Sequence, residues 1–138
     1  MTVFISKDVP DLGDLPSVLK SMQIKGIYHS LIQFVSVSFA LNCTFDVIFF
    51  PSVRAAQFLL NSKQIDLSSY ILSCSGRQTE KRLRDLGYDC EFVGENAGNP
   101  DEVSRAFSAW LGQRKVLIPH SNLSSLSIGT FIRNEQMV

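Results

Sequence analysis

A chain of 138 residues that is 45% hydrophobic and 19% charged has the size and composition of one ordinary globular domain and lies outside the disordered class. Thirteen basic and thirteen acidic residues cancel, which removes the long-range positive field that draws proteins to nucleic acid or an anionic membrane, so an anion bound here has to be held by local groups. The apolar runs are far too short for a membrane span, and the start Met-Thr-Val-Phe-Ile-Ser lacks the basic and apolar regions of a secretory signal; no nucleic-acid partner, no membrane partner and a cytoplasmic setting are the expectations.

Residues 2–6 form a short apolar stretch that predicts a strand, and Asp11-Leu12-Gly13-Asp14 punctuates before Leu15, Val18, Leu19 and Met22 recur at helical spacing. A second strand is predicted at 27–32. From Val35 the pattern alternates, with Val35, Val37, Phe39 and Leu41 on one side and Ser36 and Ser38 on the other, which reads as a half-exposed extended connection over 35–44.

The stretch that organises the rest follows. Val47, Ile48, Phe49 and Phe50 are an unbroken apolar run, the mark of a strand buried on both faces, and Pro51-Ser52 breaks it where a helical pattern begins near Val53 and runs to about Asn61-Ser62. Tyr70 to Cys74 is the next strand. Ser75-Gly76-Arg77-Gln78-Thr79 then opens a helix that turns Leu83 and Leu86 inward and stops at Gly87. Cys90 to Val93 is a further strand, and Asn99 as N-cap, Pro100 in the first turn and acidic Asp101 and Glu102 announce a helix with Val103, Ala106, Phe107, Trp110 and Leu111 on one face. Lys115 to Pro119 is the next strand. A last helix, weakened by Gly129, is expected to present Leu123, Leu126, Thr130 and Phe131, and Met137-Val138 looks like the start of a fifth strand. From Phe45 onward the order is β-α-β-α-β-α-β-α, which predicts a doubly wound parallel sheet covered on both faces, with right-handed crossovers.

In such a sheet the ligand site lies at the carboxyl ends of the strands, so Pro51, Ser52 and Val53 should border it. Arg77 stands at a helix N-terminus, where a cation opposes the dipole unless an anion is beside it; it faces either a bound carboxylate or solvent. Ser52 and Ser121 stand just past a proline at a strand's end and either donate to an anion or serve only as helix caps. His29 and His120 offer no paired metal-ligand spacing, and no Gly-x-Ser-x-Gly elbow, Gly-x-Gly-x-x-Gly or phosphate-loop motif is present. Cys43, Cys74 and Cys90 have no Cys-x-x-Cys spacing and suit reduced, mostly buried thiols.

Four segments together resemble the uroporphyrinogen-III synthase family: Val3-Phe-Ile-Ser-Lys7, Asp46-Val-Ile-Phe-Phe-Pro-Ser52, Ser75-Gly-Arg-Gln-Thr79 and Lys115-Val-Leu-Ile-Pro119, with Gly87 and Gly94-x5-Pro100 at matching separations. His29-Ser-Leu-Ile-Gln-Phe34 is similar to the crossover segment of members from Bacteroidetes-type bacteria. The resemblance implies a flavodoxin-like α/β fold in which 1–34 is the first part of an incomplete second α/β domain, 35–44 a connection, and 45–138 an inserted flavodoxin-like domain whose last strand is missing. It implies that the half of the chain returning to the first domain is absent, and with it the family's Tyr beyond the last residue. His120 stands where an arginine or a small residue is common. The family closes a linear tetrapyrrole, hydroxymethylbilane, to uroporphyrinogen III, inverting the last ring with loss of water and using no cofactor or metal. Carried onto this sequence, Ser52, Ser75, Gly76, Arg77, Thr79 and Ser121 are the expected substrate-binding residues, with no catalytic side chain singled out. The competing readings are a non-catalytic flavodoxin-like or receiver-like binding module and an inactive synthase fragment. Strands at 2–6 and 27–32 without a covering half predict self-association or poor order there.

Overall fold

The computed structural model describes the chain except Pro10, Asp11, Leu123, Ser125, Leu126 and Val138. The expected last-helix positions Leu123 and Leu126, the turn residue Asp11 and the fifth-strand residue Val138 therefore lie outside the described residues. The chain divides into two compact units, Met1–Phe39 and Ala40–Val138.

The first unit is a βαβ motif. Strand β1 (Thr2–Ile5) pairs in parallel with β2 (Lys25–Tyr28), in the register Thr2↔Lys25 to Ile5↔Tyr28, and α1 (Leu15–Ser21) connects them. The second strand begins and ends earlier than the expected 27–32. The Lys25 amide already donates to the Met1 carbonyl, whereas the Ser30 amide is taken by the Asp8 carboxylate at 3.1 Å, which draws the chain out of the ladder. Side chains along both strands alternate between exposed and half-buried, and α1 has no buried residue. Of the alternating stretch after Val35, residues up to Ala40 are exposed, Val37 at 79%, and Leu41 is half-buried against the core that holds Phe45. Alternation buries a face only where a neighbour covers it.

The second unit is an α/β fold built on β3 (Val47–Phe50), buried at all four positions. Its sheet has the order β5-β4-β3-β6, every pairing parallel, with β4 (Ile71–Cys74), β5 (Phe92–Val93) and β6 (Val116–Leu117); Met137 adds one parallel bridge to Val116. Because strand side chains alternate, β3 feeds two cores. Ile48 and Phe50 pack with Ala56 and Leu59 of α2 (Val53–Ser62) and Leu83 of α3 (Arg77–Asp85), while Val47 and Phe49 pack with Val103, Phe107 and Leu111 of α4 (Pro100–Leu111) and with Ile128 and Ile132. Helices thus cover both faces, the doubly wound arrangement expected from the βα alternation. Phe107 anchors the second core, its ring 4.5 Å from Phe49 and 5.2 Å from Phe92.

Local chemistry sets the element ends. Asn99 Oδ1 accepts from the Glu102 amide to start α4, and Gly112 at φ +65 ends it; Gly87 at φ +88 follows α3. Four expected inward positions are corrected. Leu86 follows the last turn of α3 and is 44% exposed. On α4 the buried position is Ser104 rather than Ala106, because the Ser104 hydroxyl donates to the Ile128 carbonyl at 2.6 Å. In place of a last α-helix the described residues form short 3-10 turns at Ser127–Phe131 and Asn134–Gln136, and Ile128 and Ile132 are buried instead of Thr130 and Phe131. Among the thiols, Cys43 is exposed, Cys74 buried and Cys90 half-buried, and all three are free. The Cys90 thiol is pushed up by its hydrogen bond with Cys74 and by burial, which keeps it protonated. No helix among the described residues is long and apolar enough to cross a membrane.

Candidate functional site

From β3 the chain steps outward to β4 and then β5, and α4 carries it back to β6 on the other side of β3. The loops after β3 and β6 therefore leave the sheet in opposite directions, and the crevice between their carboxyl ends is the place where doubly wound sheets hold ligands. A pocket of about 150 Å³ opens there. Phe49 and Pro51 contribute the β3 side, Ile118 and His120 the β6 side, Ser75 the end of β4, and Ala97, Pro100 and Val103 the approach to α4; Ser124, Ser127 and Ile128 complete it.

Each loop is held by the one beside it. The Ser75 amide donates to the Phe50 carbonyl at 3.1 Å and the Gly94 amide to the Cys74 carbonyl at 2.9 Å, extending the strand pairing past the sheet. The Ser75 hydroxyl donates to the Pro51 carbonyl at 2.9 Å. Two glycines allow the loops to close on one another. A Cβ on Gly94 would lie 2.3 Å from the Ser75 carbonyl oxygen, and one on Gly76 would lie 2.7 Å from the Ala97 Cβ.

The expected site residues fall into three groups. Ser75 lines the pocket, and Ser52 and Ser121 each stand one residue from a lining residue, Pro51 and His120 respectively. Ser52 is the N-cap of α2: its backbone is extended and its Oγ accepts from the Ala55 amide at 3.1 Å, which leaves its O–H able to donate elsewhere. Ser121 is exposed, and its carbonyl oxygen accepts from the Ser124 amide at 3.0 Å and lies 2.8 Å from His120 Nδ1. Gly76, Arg77 and Thr79 form the N-terminal turn of α3, outside the pocket's lining. Arg77 is exposed there, while Thr79 is only 4% exposed and its amide bonds the Gly76 carbonyl at 3.1 Å. Sequence reasoning did not select His120, Ala97, Pro100, Ser124 or Ser127 as site residues. For His120 the signal was available, because it directly follows Pro119 beyond a strand end.

Chemically the arrangement is suited to holding an anion without long-range attraction. The hydroxyls of Ser52 and Ser121, the Arg77 guanidinium and the first-turn amides of α3 that precede those bonded to the Gly76 carbonyl are donors at the carboxyl edge of one sheet. A family model described as uroporphyrinogen-III synthase HemD matches residues 15–137. The chain belongs to that family. No curated protein matches the sequence. Membership of the uroporphyrinogen-III synthase HemD family agrees with the parallel α/β architecture, and the matched span takes in every strand end that borders the pocket.

Proposed function

We propose that the protein acts in the cytoplasm as a uroporphyrinogen-III synthase, cyclising hydroxymethylbilane to uroporphyrinogen III with inversion of the last pyrrole ring and loss of water. The observation that carries the reading is the pocket between the carboxyl ends of β3 and β6, in a chain whose residues 15–137 match the family. Support also comes from the kind of group found at the sheet edge. The substrate is a flexible chain bearing many carboxylates, and its closure asks for a folded conformation more than for a strong acid or base. Hydroxyls and main-chain amides spread over several strand ends hold carboxylates at separated points and so fix that conformation, converting an improbable encounter of the two ends into a local one.

In this reading Ser52, Ser75, Gly76, Arg77, Thr79 and Ser121 bind substrate carboxylates. The α3 turn supplies main-chain donors, the Thr79 hydroxyl and the Arg77 charge, and Ser52 donates its hydroxyl proton while its oxygen caps α2. Ser75 takes part if its hydroxyl turns from the Pro51 carbonyl to the ligand. Removing one charge-assisted bond costs about 1.5 to 3 kcal/mol, so Thr79→Ala is expected to slow cyclisation by roughly 10- to 150-fold while the fold is kept. The test is to assay the protein on freshly prepared hydroxymethylbilane and separate the product isomers. Formation of the symmetric type I product alone, which arises without an enzyme, overturns the synthase reading; an unchanged rate in Thr79→Ala overturns the role of the Thr79 hydroxyl.

A further inference from the structure

We propose that His120 binds one carboxylate arm of the ligand in the pocket between β3 and β6 by taking up a proton at Nε2, so that binding there is linked to pH. The inference rests on the tetrapyrrole reading for the nature of the ligand and on the pocket's own geometry for the rest.

His120 Nδ1 lies 2.8 Å from the Ser121 carbonyl oxygen. A carbonyl oxygen only accepts, so Nδ1 carries the proton, and Nε2 is left as the ring's other polar atom. In the neutral ring Nε2 is an acceptor, and a carboxylate is an acceptor too. The two can meet only with a proton between them: one proton leaves solvent, adds to Nε2 and converts the imidazole to an imidazolium, which then donates to the carboxylate oxygen in a charge-assisted bond.

The remainder of the lining assigns this task to His120. Among the described residues that line the pocket it is the sole ionisable group. The other polar side chains are Ser75, Ser124 and Ser127, and the Ser75 proton is already directed at the Pro51 carbonyl. Phe49, Ile118 and Ile128 are buried and present an apolar wall, against which the methylene stem of a carboxylate arm gains contact that water does not offer. The pocket offers about 150 Å³, where a single water needs only about 10–15 Å³ of such space. That is room for one arm and part of its ring, and too little for a whole tetrapyrrole. Because the chain's formal charge is zero, a positive charge created on binding is not duplicated by a standing field.

Proton uptake gives the test a readout separate from turnover. Uroporphyrin III, a stable octacarboxylate tetrapyrrole, is titrated into the full chain by calorimetry at about pH 7.5, in two buffers of different ionisation enthalpy. The expected result is net proton uptake by the wild type that is absent in His120→Gln, which keeps a side-chain amide donor but cannot titrate, together with binding weakened on the order of 10-fold. Uptake that persists in His120→Gln, no uptake in the wild type, or no saturable binding each overturns the proposal. The two readings fail separately: His120-dependent uptake with only type I product sinks the synthase activity and leaves the subsite, whereas type III product without such uptake sinks the subsite alone.

Discussion

Strand β1 reads Thr-Val-Phe-Ile and β3 reads Val-Ile-Phe-Phe, yet Phe4 is 54% exposed while Phe49 and Phe50 are fully buried. Both strands pair in parallel and both precede a helix. The difference lies in what surrounds them. β3 has β4 on one side and β6 on the other, α2 and α3 beneath one face and α4 over the other. β1 has β2 as its pairing partner, and the helix between them buries none of its residues. A parallel strand reaches the dry state through cover on both faces, and its own hydrophobicity supplies only the need for that cover.

The sharpest way to break this comparison is to truncate the corresponding rings. Phe49→Ala removes a ring packed against Phe107 and is expected to cost about 3 to 5 kcal/mol, whereas Phe4→Ala on the open face should cost about 0.5 kcal/mol or less. Trp110, the single tryptophan, lies in the second core and reports its unfolding in denaturant; amide exchange of residues 2–5 reports on the first unit. Equal losses at the two positions would mean that the Phe4 face is covered in solution. Self-association is the proposed source of such cover, and light scattering across a concentration series would then show a species larger than 15.4 kDa.

What could be read from the sequence divides along the same line. Val47 to Phe50 announced itself because four consecutive apolar residues have no explanation other than burial on two sides, and α4 because Asn99, Pro100, Asp101 and Glu102 all act within one turn. The end of β2 was not legible, since it depends on the Asp8 carboxylate, 22 residues away in sequence, capturing the Ser30 amide. Nor was the inward turn of Ser104: a serine on a helix face reads as solvent-facing until the Ile128 carbonyl is brought to it. At the pocket, Ser75 could be found because it follows β4 directly. The pocket itself could not, because its walls come from five separated stretches that only the return of the chain to β6 brings together.

Glycine substitutions sharpen the contrast at the next scale down. In the second unit the Gly94 position meets fixed atoms, the Ser75 carbonyl oxygen at 2.3 Å and Val103 Cγ1 at 2.8 Å. Gly94→Ala therefore has to push the β5 loop away from the β4 loop, at about 1 to 3 kcal/mol, and because Ser75 and Val103 both line the pocket, uroporphyrin III binding should weaken with it. In the first unit the Gly26 position meets the hydroxyl end of the half-buried Tyr28 side chain at 2.1 Å, a side-chain end rather than backbone. Gly26→Ala should change stability by less than about 0.5 kcal/mol. A Gly26→Ala variant as damaged as Gly94→Ala, measured by loss of amide protection, would show that the first unit is packed as rigidly as the second.

A further contrast concerns Ser52, whose hydroxyl is asked to do two things at once. As N-cap of α2 its oxygen accepts from the Ala55 amide, and Ser52→Ala should cost about 0.5 to 2 kcal/mol of stability for that reason alone. That loss says nothing of a ligand. Ser52→Asp separates the roles, because aspartate caps a helix as well as serine does and its charge favours the positive end of the dipole, while beside a bound carboxylate it introduces repulsion. Two like charges about 4 Å apart repel by about 1 kcal/mol in water and by several times that where solvent is partly excluded, so uroporphyrin III should bind at least roughly 5-fold more weakly while the unfolding midpoint stays put. Unchanged binding in Ser52→Asp would reduce Ser52 to a cap and move the carboxylate contacts to Ser75 and the His120 side of the crevice.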